Sequence, residues 1–212
     1  MTEDTMTDST DVSPARGARA RAAHVLTEVF APWVIVVLLP LAVAWQATHR
    51  LLPALGWGLL VAATSSILPM GVIVWGARTG RWDSHHVRDR AGRAVPFLAL
   101  IVMSLVGLGL LVALGAPWPL IALDISMIGS LFVTGAITAW WKVSMHSAVA
   151  SGAVVILAVI YHPAWWALMV LVAAISWSRV QIRDHTTAQV TAGAIVGAVV
   201  GGGLFTTLLY AV

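Results

Sequence analysis

The stretch that decides the fold is WPLIALDISMIGSLFVTGAITAW, running from Trp118 to Trp140. It carries one charged residue, Asp124, and its apolar positions do not alternate with polar ones. As a helix it would reach about 35 Å, enough to cross a hydrocarbon core of about 30 Å. No water reaches that core, so the backbone must satisfy its own hydrogen bonds, and within one segment only a helix does so. Comparable blocks fall at about 27–46, 55–76, 96–114, 146–161, 164–177 and 186–211. The fold class is therefore all-α: a polytopic membrane helix bundle of about 6–7 transmembrane helices, formed by a single domain over residues 24–212.

Composition agrees. The chain is 59% hydrophobic and 10% charged, against about 25% charged in soluble domains. Tryptophans such as Trp33, Trp75, Trp140, Trp141 and Trp177 fall near block ends, as in the aromatic belt of a membrane protein. The lack of cysteine excludes disulfides and thiolate chemistry. Residues 1–23 are polar and read as a disordered cytoplasmic tail, not a signal peptide. The sixth block is short and its helix is expected to extend into the next connector. Gly193, Gly197 and Gly201 share one face of the last helix, which places that helix inside the bundle. Pro40 and Pro69 read as kinks. Asp124 is an intramembrane carboxylate and so a functional candidate, although two turns into its block it could reach the interface or pair with a neighbour.

Seven alternating spans put the N-terminal tail, 77–95, 142–145 and 178–185 on one face. That face holds eleven of the twelve Lys and Arg residues, Arg50 being the exception. Positive residues stay cytoplasmic, so the face is expected to be cytoplasmic and the membrane to be the plasma membrane. Setting aside Arg93, Lys142 and Arg179 as site residues leaves eight against one, and the bias survives.

Three polar stretches lie on this face. The first runs from Arg81 to Arg93 and includes His86, Arg88 and Arg90. The second is Trp141-Lys142-Val143-Ser144-Met145-His146-Ser147. The third is Ser178-Arg179, then His185-Thr186-Thr187-Ala188-Gln189. His146 and His185 each open a helix, beside guanidinium groups, an ammonium and hydroxyls. Helix N-termini with such neighbours attract anions, and arginine grips phosphate oxygens bidentately. Histidine can act as nucleophile or general acid near neutral pH. No carboxylate cluster or His-x-x-x-His pair suggests a metal. The residues describe an anion site with two histidines at the membrane surface. The plain alternative is a basic belt touching lipid headgroups.

In order and spacing these stretches resemble the type 2 phosphatidic acid phosphatase (PAP2) superfamily, membrane relatives of the vanadium haloperoxidases. The resemblance covers about 77–200 and looks closest to the short bacterial branch. The third stretch matches best: Ser178, Arg179 and His185 fit, with Gln189 where the family has Asp. The second reads Val143-Ser144-Met145-His146 for Pro-Ser-Gly-His. The first reads His86, then Arg93-Ala94, for Lys and Arg-Pro.

The resemblance implies a haloperoxidase-like core in a PAP2-like domain. His185 would attack phosphorus and form a phosphohistidine. His146 would protonate the leaving oxygen. Arg93, Arg179 and Ser144 would hold the phosphoryl oxygens, with Ser178, Lys142, His86 and Arg90 as further phosphate contacts. Gln189 can orient the His185 ring but brings no charge to support an imidazolium. The implied activity is metal-independent hydrolysis of a lipid phosphomonoester or diphosphate, with polyprenyl phosphates, phosphatidic acid and phosphatidylglycerophosphate as candidates. A degenerate site that only binds lipid phosphate is the alternative. The expected partners are the bilayer and a membrane lipid. No cofactor, metal or nucleic acid is expected, and the oligomeric state is left open.

Overall fold

The computed structural model describes residues 14–79 and 90–211, without the side chains of residues 14–16, 73, 77 and 90–96. Every regular element among them is helical. These are α1 (Pro14–Val29), α2 (Pro32–Thr48), α3 (Leu51–Ala62), α4 (Leu68–Arg78), α5 (Arg90–Ala113), α6 (Trp118–Trp140), α7 (Met145–Ile160), α8 (Met169–Gln181), α9 (Thr187–Val196) and α10 (Gly203–Tyr210). A π turn (Ala63–Ile67) joins α3 to α4, a second (Gly197–Gly202) joins α9 to α10, and a 3-10 turn (Pro163–Leu168) leads into α8.

Each expected apolar block is thus helical. Among the described residues four helices are long and apolar enough to cross a membrane: Leu51–Gly76, Trp118–Trp140, Pro163–Gln181 and Thr187–Tyr210. A fifth arises if Gly17–Val29 and Pro32–Thr48, bent by 45°, count as one span. Phe97–Ala113 and α7 are apolar but shorter. The sixth block does extend: α8 continues through Gln181, so Ser178 and Arg179 lie in its last turns and not in a loop.

The expected tail needs correction. From Pro14 onward it is helical, and α1 runs PARGARARAAHVLTEV. Alanine and arginine are among the best helix formers, and proline suits a first turn. Polar composition suggested disorder, but propensity and packing decide otherwise: Ala23 and Thr27 are buried where α1 lies along α8. Residues 1–13 lie outside the described residues.

α7 forms the centre, with buried residues from Ser147 to Ala158, and packs on α2, α8 and α9. The glycine face of the last helix seats it there. A Cβ on Gly193 would stand 2.5 Å from the Ser144 carbonyl oxygen, and one on Gly152 would stand 3.0 Å from that of Gly197. Only one face packs, however. Ile195 and Val199 are 58% and 65% exposed, so this helix borders the bundle and is not enclosed by it. Close glycine contact shows where backbones approach but says nothing about the opposite face.

Pro69 cannot return an N–H to the Ser65 carbonyl four residues earlier. The helix widens there, and the Leu68 N–H bonds Ala63 instead. Asp124 does not reach an interface. It is fully buried and accepts a hydrogen bond from Ser65 Oγ at 3.1 Å. At the end of the bundle remote from His146, Trp118 Nε1 donates to the Leu208 carbonyl at 2.9 Å.

Candidate active site

Three segments far apart in sequence meet at one end of the bundle. The Ser144 N–H donates to the Gln189 carbonyl at 3.3 Å, tying the start of α7 to the first turn of α9. Lys142 Nζ donates to the Asp184 carbonyl at 2.6 Å. Thr27 Oγ1 lies 3.1 Å from Ser178 Oγ, joining α1 to α8. The second and third polar stretches therefore share a site, and the end of α1 joins them.

The loop after α8 sets its shape. Arg183 adopts a left-handed conformation, φ 61°, which turns the chain back. The N–H groups of Asp184 and His185 then both bond the Arg179 carbonyl, at 3.1 and 3.2 Å. This presents His185 just before α9. Thr186 caps that helix. Its Oγ1 accepts from the Gln189 N–H at 3.3 Å, and Gln189 Oε1 accepts from the Thr186 N–H at 3.1 Å, a capping box.

Gln189 Oε1 also lies 3.2 Å from His185 Nδ1. An oxygen that accepts from a backbone N–H also accepts from the ring. Nδ1 therefore carries the proton and Nε2 keeps its lone pair. Burial pushes the half-buried His185 imidazole below its ordinary range, and the Lys142 charge adds to this. The Gln189 bond pushes back; Arg179 lowers the value further and Asp184 opposes. Each cation disfavours a second positive charge.

Arg179 Nη2 donates to Asp184 Oδ2 at 2.7 Å. The guanidinium is only 12% exposed, and its Nε has no partner among the described residues. One carboxylate oxygen thus occupies part of a fork suited to oxyanions. His146 lies against the Thr27 backbone and within the electrostatic reach of Arg179 and His185.

Not every expected residue presents its side chain to the site. Ser144 is fully buried and caps α7, accepting from the Ser147 N–H at 3.4 Å and from Ser147 Oγ at 3.2 Å. Ser178 is fully buried and donates to the Ile175 carbonyl at 2.7 Å. Both hydroxyls are engaged within the protein. Arg90 and Arg93 begin α5, with side chains outside the description, and His86 lies outside the described residues. Asp184 and Thr27 were missed. Asp184 is the one acid between Ser178 and His185, a signal that was available. Thr27 sits 151 residues from Ser178 and gave none.

Residues 132–212 match the family model of the PAP2 superfamily. The match contains Lys142, Ser144, His146, Ser178, Arg179, His185 and Gln189, while His86, Arg90 and Arg93 lie before it. It supports phosphoric ester hydrolysis at the level of the superfamily. No curated protein and no solved structure matches the chain.

Proposed function

With the PAP2 match as premise, we propose that this protein is a membrane-embedded phosphatase that hydrolyses a phosphomonoester or diphosphate on a lipid, through a phosphohistidine on His185. The observation that carries the reading is the hold of Gln189 on His185. A ring whose Nδ1–H is engaged has Nε2 free to attack. His146 protonates the leaving oxygen, that of the lipid alcohol from a monoester or of the lipid monophosphate from a diphosphate, and water then cleaves the phosphohistidine to phosphate and free His185. Arg179 stabilises charge on the equatorial oxygens once phosphate displaces Asp184. Lys142, on the connector between α6 and α7 and bonded to the Asp184 carbonyl, adds positive charge.

The lipid class follows from location. The site lies at the end of an apolar bundle, and a cavity of about 290 Å³ runs inward from Met145, beside His146, past Val149 to Ile156. Its lining is mostly apolar, as an acyl or prenyl tail requires. In this reading seven segments cross the plasma membrane, and the site faces the cytoplasm because Lys and Arg gather at that end.

A binder of lipid phosphates is the second reading. It is favoured by Gln189, which supplies no negative charge to an imidazolium, and by Asp184, which occupies Arg179. Phosphate release from a panel of lipid phosphates by detergent-purified protein separates the two. Release that disappears in His185→Ala supports the phosphatase, whereas binding without release supports the binder.

A further inference from the structure

A second polar cluster lies deep in the bundle. Asp124 on α6 is fully buried. Ser65, in the π turn between α3 and α4, donates to Asp124 Oδ1 at 3.1 Å, and Ser104 of α5 donates to Ser65 Oγ at 3.4 Å. Asp124 Oδ2 has no partner among the described residues. The ion pair found among those residues joins Arg179 to Asp184, so no described cation balances Asp124. An uncompensated carboxylate inside a bilayer is costly, and such residues commonly mark ion sites.

The surroundings agree. Pro69 forces the π turn that holds Ser65, and π turns inside helices often mark functional sites. Ser65 and Ser104 also line the cavity that reaches Met145. The donors are a carboxylate and two hydroxyls, hard oxygens and not a transition-metal set. One carboxylate balances one positive charge; a divalent ion would leave a buried excess.

We propose that Asp124, Ser65 and Ser104 bind a monovalent cation of sodium size, joining α5, α6 and the π turn. This site is independent of His185. The test is thermal unfolding of the full chain in detergent, with sodium chloride against choline chloride at equal ionic strength. A melting temperature that rises with sodium but not with choline supports the site, as does loss of that rise in Asp124→Asn and its weakening in Ser65→Ala. Equal melting in both salts, or an undiminished sodium effect in Asp124→Asn, overturns it. Should Asp124→Asn fail to fold, equilibrium binding of radioactive sodium decides. One ion per wild-type chain, with weaker binding to Ser65→Ala, supports the proposal, and absence of binding to wild type overturns it.

Discussion

Gln189 Oε1 lies 3.2 Å from His185 Nδ1 while accepting the Thr186 N–H, so one side-chain oxygen both caps α9 and fixes the tautomer of the histidine before it. The helix cap and the orientation of the His185 ring are a single device. A glutamine can do both, but it cannot stabilise a positive ring as a carboxylate would.

Gln189→Asp is expected to raise turnover several-fold and to move the acid limb of the pH profile upward, because a carboxylate beside Nδ1 favours imidazolium. Gln189→Leu keeps the bulk but loses both bonds, and should lower kcat by tenfold or more. Phosphate-release kinetics on detergent-purified variants check both.

The pH dependence follows from burial and cations at His185. Its pKa is lowered, chiefly by burial and then by Lys142. In the proposed mechanism the neutral ring is the nucleophile, so activity should persist as pH falls to about 6.5, the ordinary value, and decline only below it. Lys142→Met removes one lowering influence and should move the limb upward. The measurement is kcat/KM against pH at constant ionic strength.

Asp184→Asn frees the Arg179 fork without removing the backbone carbonyl that Lys142 uses. The expected result is a severalfold lower KM for a lipid phosphate. Asp184 is 48% exposed, so the lost pair should cost stability no more than about 1 kcal/mol. Substrate titration and thermal unfolding read the two effects separately.

Gly193→Ala tests the seat of the site. Its Cβ would stand 2.5 Å from the Ser144 carbonyl oxygen, and backbone must move to admit it. The cost is expected at about 1–3 kcal/mol, with activity down at least tenfold because His146 and His185 separate. Thermal unfolding and phosphate release on the same preparation check this.

Much of the helix content was legible because hydrocarbon thickness writes itself into sequence as long apolar blocks. The placing of Lys142, His146, Arg179 and His185 at one end followed from counting turns between blocks. Other features were hidden for specific reasons. α1 looked like a tail because its arginines are polar, although Ala-Arg runs favour helix and Ala23 packs on α8. The engagement of Ser144 and Ser178 within the protein depends on neighbours that no local pattern reveals. The Asp184–Arg179 pair depends on the left-handed Arg183, which is not a residue that advertises such a turn.

The most direct test of a nucleophilic His185 is rapid quenching of the purified protein with a lipid carrying a radioactive terminal phosphate. Wild type should form an acid-labile, alkali-stable phosphoprotein and release phosphate, and His185→Ala should do neither. Phosphate release by His185→Ala at the wild-type rate would contradict it.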